Sequence, residues 1–478
     1  MNIPKVIKNS TLYSFASFFQ KGIGFFLLPV FTRYLTPEDY GVMNLLSSIV
    51  GFLSIMIMFS LHGAAKRFHF SYETEKWKAS VWGTILIMIL FSSLFWTVIV
   101  IVFHNYLIDP LTGDISFWKL TILSLLATML NPVYILYQTW LQTIEDGKKY
   151  TVNMLLNFAA TTLLNIIVVV CLGWGVWGML FSNLIVAILF FGYSLYKFFP
   201  IISFCFDKRI ANEALGYSIP LLPHNVSGYL SVMLDRVLLN KLATISQLGI
   251  YSVSNQFGLI LNTITSSFNQ AISPWFFREL SKESVNLQKI RQFTIGSTLL
   301  CSIIAFILVY FTPEVINLVT TSAYSNAWEP ILFISFGYVL NGLYYHFSTP
   351  LFYSKPQLVF IVSFSQLIVN VVMNVVLIPH YGYMGAGLSF MISMFASAVL
   401  ALLLTTKVYP KCKFPWARLF MITIYFMLVS SLIFVIEDSV ISLINKLAIK
   451  TGLCIINSII AYIFFKKDIQ SIINEVRK

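Results

Sequence analysis

The sequence alternates between long apolar segments and short polar connectors from end to end. A hydrocarbon core about 30 Å thick requires roughly 20 residues of helix to cross it, and about fourteen of the apolar segments reach that length. The connectors leave no room for a soluble domain. The pattern predicts an all-α, polytopic membrane protein with about fourteen transmembrane helices, numbered here as spans one to fourteen, near residues 11–32, 41–64, 80–103, 117–142, 151–172, 176–197, 215–239, 249–276, 292–312, 328–352, 358–379, 383–406, 416–436 and 443–465.

The composition supports membrane insertion, and the placement of charge gives an orientation. Of the 478 residues, 58% are hydrophobic and only 10% are charged, and the mean hydropathy of +0.81 lies well above that of soluble domains. The N-terminal segment, alternate connectors and the C-terminal tail hold 24 of the basic residues, and the other connectors hold five. Because lysine and arginine are concentrated on the cytoplasmic side, both termini are expected in the cytoplasm.

The same features exclude several classes of function. The net charge of +12 is spread over eight cytoplasmic segments without a clustered patch, so nucleic acid is not an expected partner. The five cysteines are scattered and the histidines are dispersed, so no metal site, disulfide framework or cofactor is expected. The sequence contains no nucleotide-binding motif or catalytic triad, so the protein is not expected to be an enzyme.

One lysine lies in the middle of the first span. A charge there costs at least about 2.5 kcal/mol if it faces lipid, so Lys21 must face protein or water. At 100° per residue, Lys21 shares a narrow polar face with Ser14 and Ser17. Two explanations remain open: Lys21 forms a buried ion pair with Asp235, or it faces a water-filled cavity and binds a substrate.

The chain carries a weak internal repeat. The segment Leu35 to Gly41 is echoed by Leu242 to Gly249, and other matched positions have a common offset of 207 to 210 residues. This predicts two six-helix lobes, 1–209 and 210–410, related by an axis along the membrane normal. Residues 411–478 then form two extra transmembrane helices and a cytoplasmic tail.

Polar side chains form stripes along several spans. Span seven carries His224, Ser227, Ser231 and Asp235 on one face with Arg236 beside it, and span eight carries a stripe that includes Asn255 and Asn262. Buried amides and hydroxyls commonly join helices at about 0.6 kcal/mol each, which is one explanation. The other is a wet cavity between the lobes, which would also accommodate Lys21 and Arg236.

Several motifs carry a family resemblance. They are the stretch from Arg33 to Gly41, the pair Arg67-Phe68 that ends span two, Pro220-Leu221-Leu222-Pro223 at the start of span seven, and Asp235-Arg236 at its end. With these motifs the chain resembles the polysaccharide-unit flippases of the multidrug/oligosaccharidyl-lipid/polysaccharide exporter superfamily, which move O-antigen or capsule repeat units. The resemblance implies two bundles around a central cavity that opens alternately to each side. It also implies cationic side chains in that cavity, which Lys21, Arg67 and Arg236 match.

The resemblance implies a function and a set of partners. The expected activity is transfer of undecaprenyl-pyrophosphate-linked oligosaccharide repeat units across the bacterial cytoplasmic membrane, from the cytoplasmic to the outer leaflet, by alternating access. The expected partners are the lipid-linked oligosaccharide, membrane lipid, H⁺ or Na⁺ as the coupling ion, and the polysaccharide polymerase machinery. The residues expected to bind substrate are Lys21, Arg67, Arg236, Asp235, Ser17, His224, Asn255 and Asn262.

Two other functions stay open. A drug or cation antiporter of the same superfamily would use Asp235 as its ion-linked carboxylate, although acids are scarce in the spans. A membrane glycan polymerase or ligase would need catalytic groups on an outer loop, and the outer loops here are short and poorly charged.

Overall fold

The structure, a computed structural model, describes residues 27–71, 74–282, 286–439 and 441–476. Throughout these ranges the regular secondary structure is helical, so the all-α prediction is confirmed. The helices are α1 (Leu28–Tyr34), α2 (Pro37–Met58), α3 (Leu61–Ser71), α4 (Glu75–Val102), α5 (Ile122–Thr143), α6 (Gly147–Ile166), α7 (Gly175–Phe198), α8 (Lys208–Ser218), α9 (Leu222–Leu242), α10 (Ile245–Leu280), α11 (Leu287–Val319), α12 (Ile331–Ser354), α13 (Gln357–Val408), α14 (Trp416–Ser430), α15 (Leu432–Asp438) and α16 (Leu443–Val476). Short helical turns cover His104–Leu107, Asp109–Thr112, Phe117–Thr121, Ile167–Cys171, Ile219–Leu221 and Ser322–Trp328.

The helices follow the predicted spans closely. Each of spans two to fourteen coincides with one helix or with two consecutive helices, and nine helical stretches in the described ranges are long and apolar enough to cross a membrane. The protein is therefore a multi-pass membrane protein. Spans eleven and twelve run on as α13, which is interrupted at Gly382, where φ is 53° and ψ is −131°. Most of span one lies outside the described residues, and the total of fourteen spans stays a prediction.

A capping box fixes the start of α2, the first helix that begins after span one. The Thr36 hydroxyl accepts a hydrogen bond from the Asp39 N–H at 3.2 Å, and the Asp39 carboxylate accepts one from the Thr36 N–H at 3.1 Å. Pro37, at the first helical position, has no N–H to leave unsatisfied. The Thr-Pro-Glu-Asp motif therefore acts as the start signal of α2.

The chain forms two compact units, residues 1–249 and 250–478. The first unit includes α8 and α9, which follow the predicted lobe boundary at residue 209: α9 packs against α2, and α8 packs against α3 and α4. The two six-helix lobes predicted from the repeat stay a prediction. Large side chains such as Trp82, Tyr137 and Phe198 fill the core where α4, α5 and α7 meet.

The connection between α7 and α8 lies tightly against α4. The Ser203 N–H donates to the Ala79 carbonyl at 3.1 Å, and the Thr84 hydroxyl donates to the Cys205 carbonyl at 3.1 Å. A Cβ on Gly83 would lie 1.8 Å from the Ser203 carbonyl oxygen, so only glycine allows this approach. The connection between α7 and α8 is therefore packed against α4 as an integral part of the first unit.

Two glycines of the repeat meet in the first unit. A Cβ on Gly41 would lie 2.0 Å from the Ile245 carbonyl oxygen, and a Cβ on Gly249 would lie 1.8 Å from the Pro37 carbonyl oxygen. Gly41 and Gly249 are partners in the sequence repeat, and so, at the same spacing, are Pro37 and Ile245. The reciprocal contact is expected if the starts of α2 and α10 are equivalent parts of two repeats.

A buried ionic cluster ties the last helix of the second unit to α11. The Lys450 side chain is fully buried, and its Nζ lies 2.6 Å from Glu314 Oε1 and 2.5 Å from Glu437 Oε1. Lys446 Nζ lies 3.2 Å from the other Glu437 carboxylate oxygen. Because α16, α15 and α11 contribute to one cluster, the C-terminal helices are an integral part of the second unit.

Candidate functional site

The predicted span two is broken near one end. Phe59 and Ser60 lie between α2 and α3 with φ of 48° and 56°, a left-handed conformation that bulky residues rarely adopt. Each such residue costs on the order of 1–3 kcal/mol and persists only where its surroundings enforce it. The Asn225 amide, near the start of α9, donates a hydrogen bond to the Ser60 hydroxyl at 3.1 Å. The break in span two is therefore bound directly to α9, within span seven.

Arg67 lies on α3, just beyond this break, and its side chain is exposed. The guanidinium carbon lies 4.9 Å from the centre of the Tyr217 ring on α8 and 5.9 Å from that of the Phe68 ring. Such cation–π contacts contribute about 0.5–1 kcal/mol at exposed sites. Within the described ranges, no carboxylate lies within ion-pair distance of Arg67. Tyr217 therefore orients the guanidinium through a ring that carries no charge, and guanidinium N–H groups are donors of the kind that bind anions.

The polar stripe of α9 lies on the same unit. Ser227 and Ser231 are buried, whereas Asp235 and Arg236 are half-buried, and each of the four has an interaction partner. Lys21 and Ser17 lie outside the described residues, as does the side chain of His224. The predicted ion pair between Lys21 and Asp235 therefore stays a prediction.

In the second unit, Asn255 and Asn262 are half-buried on α10. The side-chain oxygen Oδ1 of Asn255 accepts a hydrogen bond from the Tyr338 hydroxyl of α12 at 3.4 Å. This bond joins two helices, which favours the packing explanation for Asn255 over a role in binding.

Two asparagines of span five, Asn153 and Asn165, also join helices. The Asn153 amide donates to Gln138 Oε1 on α5 at 3.3 Å. Asn165 donates to Asn183 Oδ1 on α7 at 3.4 Å and accepts a hydrogen bond from the Ser182 hydroxyl. For Asn153 and Asn165, helix packing is the explanation that the contacts support.

Three features of the structure were not evident from the sequence. Tyr217, which positions Arg67, lies 150 residues away along the chain. The bond between Asn225 and Ser60 joins two different spans. The third is a pocket in the second unit where Ser297 meets His346. Of these, only the aromatic side chain of Tyr217 is a sequence signal, because aromatic rings are the usual partners of an arginine that has no carboxylate nearby.

Comparison with known proteins identifies the family. Residues 6–280, more than half of the chain, match the family described as "Polysaccharide biosynthesis protein". The chain belongs to the Polysaccharide biosynthesis protein family. The matched region includes Lys21, Arg67 and Arg236, together with Gly41 and Gly249.

Similar proteins of this kind are known from other organisms. The chain is 22% identical over 396 residues to the "Probable low-salt glycan biosynthesis flippase Agl15" of Haloferax volcanii, covering 80% of each protein. It is 20% identical over 416 residues to the "Putative O-antigen transporter" of Shigella flexneri, covering 84% of this chain and 98% of that one. A solved structure titled "Lipid II flippase MurJ, inward closed conformation" superposes with a TM-score of 0.75 at 16% identity, over 96% of this chain and all of that one. This member of the Polysaccharide biosynthesis protein family therefore has the fold of that flippase.

Proposed function

We propose that the protein moves undecaprenyl-pyrophosphate-linked oligosaccharide repeat units of O-antigen or capsule from the cytoplasmic to the outer leaflet. Support comes from its membership of a polysaccharide biosynthesis family and from similar proteins named as a glycan flippase and an O-antigen transporter. Two six-helix lobes would rock against each other around a central cavity, so that the headgroup meets one side of the membrane at a time. The membrane involved would be the bacterial cytoplasmic membrane, with both termini in the cytoplasm.

The observation that carries the proposal is that Arg67 is exposed and that the Tyr217 ring positions its guanidinium. The diphosphate is the part of the substrate whose passage through hydrocarbon costs most, and a planar guanidinium can bind it through two parallel hydrogen bonds. Arg67 is exposed, held by Tyr217, and next to a second exposed cation, Lys66. A hydrogen bond to a charged group contributes about 1.5–3 kcal/mol. Arg67 would therefore be the first contact of the headgroup on the cytoplasmic side.

Inside the cavity, Lys21 would take over the diphosphate after Arg67 releases it. Arg236 would add a second cation, with Asp235 balancing its charge. Ser17, His224 and Asn262 would offer hydrogen bonds to sugar hydroxyls, and the lipid tail would stay in the membrane. H⁺ or Na⁺ would drive the cycle, and the polysaccharide polymerase machinery would receive the product.

The family description and the names of the similar proteins favour a glycan over a drug as the substrate. The same names describe transport, which leaves the polymerase or ligase alternative without support.

The proposal is tested by replacing Arg67 in a bacterial strain that lacks its own repeat-unit flippase. We expect Arg67→Ala to reduce surface glycan by about tenfold or more, since the loss of one charged hydrogen bond of about 1.5–3 kcal/mol corresponds to that factor. Arg67→Lys keeps the charge but not the paired geometry and should restore part of the activity. We expect Tyr217→Leu to reduce surface glycan in part, because the guanidinium keeps its charge but is no longer held in position.

Arg209→Ala is the matched control. Arg209 is also an exposed arginine at this end of the first unit, but it pairs with Glu213 on the next turn of α8 at 3.1 Å. We expect this variant to support normal surface glycan. A normal amount of surface glycan with Arg67→Ala, at a protein level equal to the wild type, would refute a role of Arg67 in binding the headgroup.

A further inference from the structure

The end of α7 and its connection to α8 expose four aromatic rings around one lysine. The exposed fractions of Phe199, Phe204 and Phe206 are 62%, 50% and 54%, and that of Tyr196 is 74%. These rings surround Lys197, which ends predicted span six on the side expected to be cytoplasmic. Aromatic rings and lysine side chains are both favoured at the level of lipid headgroups. None of these residues takes part in the substrate path proposed above.

Several polar groups of this connection are bonded within the protein. The Ser203 N–H and the Cys205 carbonyl bind α4, and the Asp207 N–H donates to the Thr84 hydroxyl at 3.1 Å. The Asp207 carboxylate accepts hydrogen bonds from two N–H groups at the start of α8. The phenyl rings of the connection stay exposed, which is unfavourable in water. The connection is therefore suited to a membrane surface.

A groove of about 670 Å³ lies on this face of α7. It is lined by Gly192, Leu195, Tyr196, Lys197, Phe199 and Pro200. Gly192 leaves the groove open, because a Cβ there would meet no heavy atom within 4 Å. Gly192 precedes Lys197 by five positions, which places it about 7.5 Å further into the membrane. The groove therefore leads from the level of the headgroups towards the acyl chains.

Lys197 gives the groove a positive charge. Its Nζ lies 5.5 Å from the centre of the Tyr196 ring and 6.0 Å from that of the Tyr193 ring. These rings orient the ammonium group through cation–π contacts and carry no charge of their own. Lys197 is the one charged residue in the lining of the groove. The groove is thus complementary to an anionic group with an apolar chain.

We propose that this groove binds one anionic glycerophospholipid of the cytoplasmic leaflet, such as phosphatidylglycerol. The lipid phosphate pairs with the Lys197 ammonium, and one acyl chain lies in the groove over Gly192. A zwitterionic lipid binds more weakly, because its amine finds no carboxylate in the lining. The site belongs to the first unit alone and does not depend on the substrate that the protein moves.

The test is native mass spectrometry of the full-length protein in detergent micelles. The micelles contain equal amounts of phosphatidylglycerol and phosphatidylethanolamine with the same acyl chains. We expect the wild type to retain phosphatidylglycerol about fivefold more often, which corresponds to about 1 kcal/mol for one lysine at an anionic headgroup. Lys197→Ala should lose most of this preference. Lys355→Ala removes an exposed lysine at the end of α12, also expected on the cytoplasmic side, and should keep the preference.

Gly192→Leu provides a second variant, which keeps the ammonium group and fills the groove. It should reduce retention of phosphatidylglycerol as Lys197→Ala does. Equal retention of the two lipids by the wild type, or wild-type retention in both variants, would overturn the proposal. So would an equal loss in Lys355→Ala, since any surface lysine would then serve.

A competitor distinguishes a resident phospholipid from the carrier lipid of the substrate. Undecaprenyl phosphate is added at the same concentration as phosphatidylglycerol. Retention of phosphatidylglycerol by the wild type would support the proposal. Its replacement by undecaprenyl phosphate would assign the groove to the carrier lipid and refute a phospholipid site.

Discussion

The reciprocal contact of Gly41 and Gly249 predicts a large effect from a single methyl group. In Gly249→Ala the new Cβ would lie 1.8 Å from the Pro37 carbonyl oxygen and 2.7 Å from its carbon. An ordinary contact distance is about 3.5 Å, so the starts of α2 and α10 must separate by roughly 1.5 Å or more. Overpacking of this kind costs about 1–3 kcal/mol, and backbone cannot rotate away as a side chain does.

Alanine also favours a helix over glycine by about 0.5–1 kcal/mol, which offsets part of this cost. We expect a net loss of about 0.5–2 kcal/mol in the free energy of unfolding. Gly192→Ala is the control. Gly192 lies inside α7, and its Cβ would meet no heavy atom within 4 Å. This variant should be more stable than the wild type by about 0.5–1 kcal/mol, so the two substitutions should have opposite signs.

The free energy of unfolding can be measured by titrating the purified protein with denaturing detergent in mixed micelles, with helicity as the signal. Gly41→Ala should behave like Gly249→Ala. In the double variant, one separation of the helices relieves both clashes, so the loss should be clearly less than the sum of the single losses. Equal stability of Gly249→Ala and Gly192→Ala would refute the close contact between the starts of α2 and α10.

Two further predictions use the same unfolding measurement. Lys450→Met leaves the Glu314 and Glu437 carboxylates without their buried partner, so we expect a loss of about 3–5 kcal/mol, which an added Glu437→Gln should partly restore. Buried Glu279, outside the predicted spans, accepts hydrogen bonds from Lys282 at 2.6 Å and from the Asn286 N–H, which hold its pKa below the usual range. This stabilisation is present above the unfolded pKa of about 4.3 and is lost as the pH falls through the folded pKa, so Glu279→Gln should weaken the loss of stability in acid.

The arrangement of helices could be predicted from the sequence because burial of apolar length dominates in a membrane. Each of spans two to fourteen lies along described helices, since a bilayer sets both the length and the polarity of a helix, although α11 and α16 extend well beyond their predicted spans. Gly41 and Gly249 were predicted as repeat partners, and Thr36 and Asp39 belong to the Arg33–Gly41 motif, although their capping role was not predicted. The capping role of Thr36 and Asp39 follows from local chemistry, whereas the close contact of Gly41 with Ile245 and of Gly249 with Pro37 joins distant parts of the chain.

The details of the candidate site depend on contacts that no local pattern records. Span two is apolar from 41 to 64, but the helix breaks at Phe59 and Ser60, where neither glycine nor proline marks a turn. The break depends on Asn225, and the position of Arg67 depends on Tyr217, both of which are distant along the chain. Polar periodicity also cannot distinguish an asparagine that joins two helices from one that lines a cavity.

The most direct test of the central claim is a transport measurement with purified protein. The protein is reconstituted into vesicles that carry a labelled undecaprenyl-pyrophosphate oligosaccharide in the inner leaflet, and the label that reaches the outer leaflet is followed with a membrane-impermeant reagent. We predict that the wild-type protein raises the rate at least about tenfold above that of protein-free vesicles, and that Arg67→Ala removes most of this increase, as expected for about 1.4 kcal/mol or more of lost headgroup binding. A rate equal to that of protein-free vesicles, from folded wild-type protein under a proton gradient and under a sodium gradient, would contradict the account.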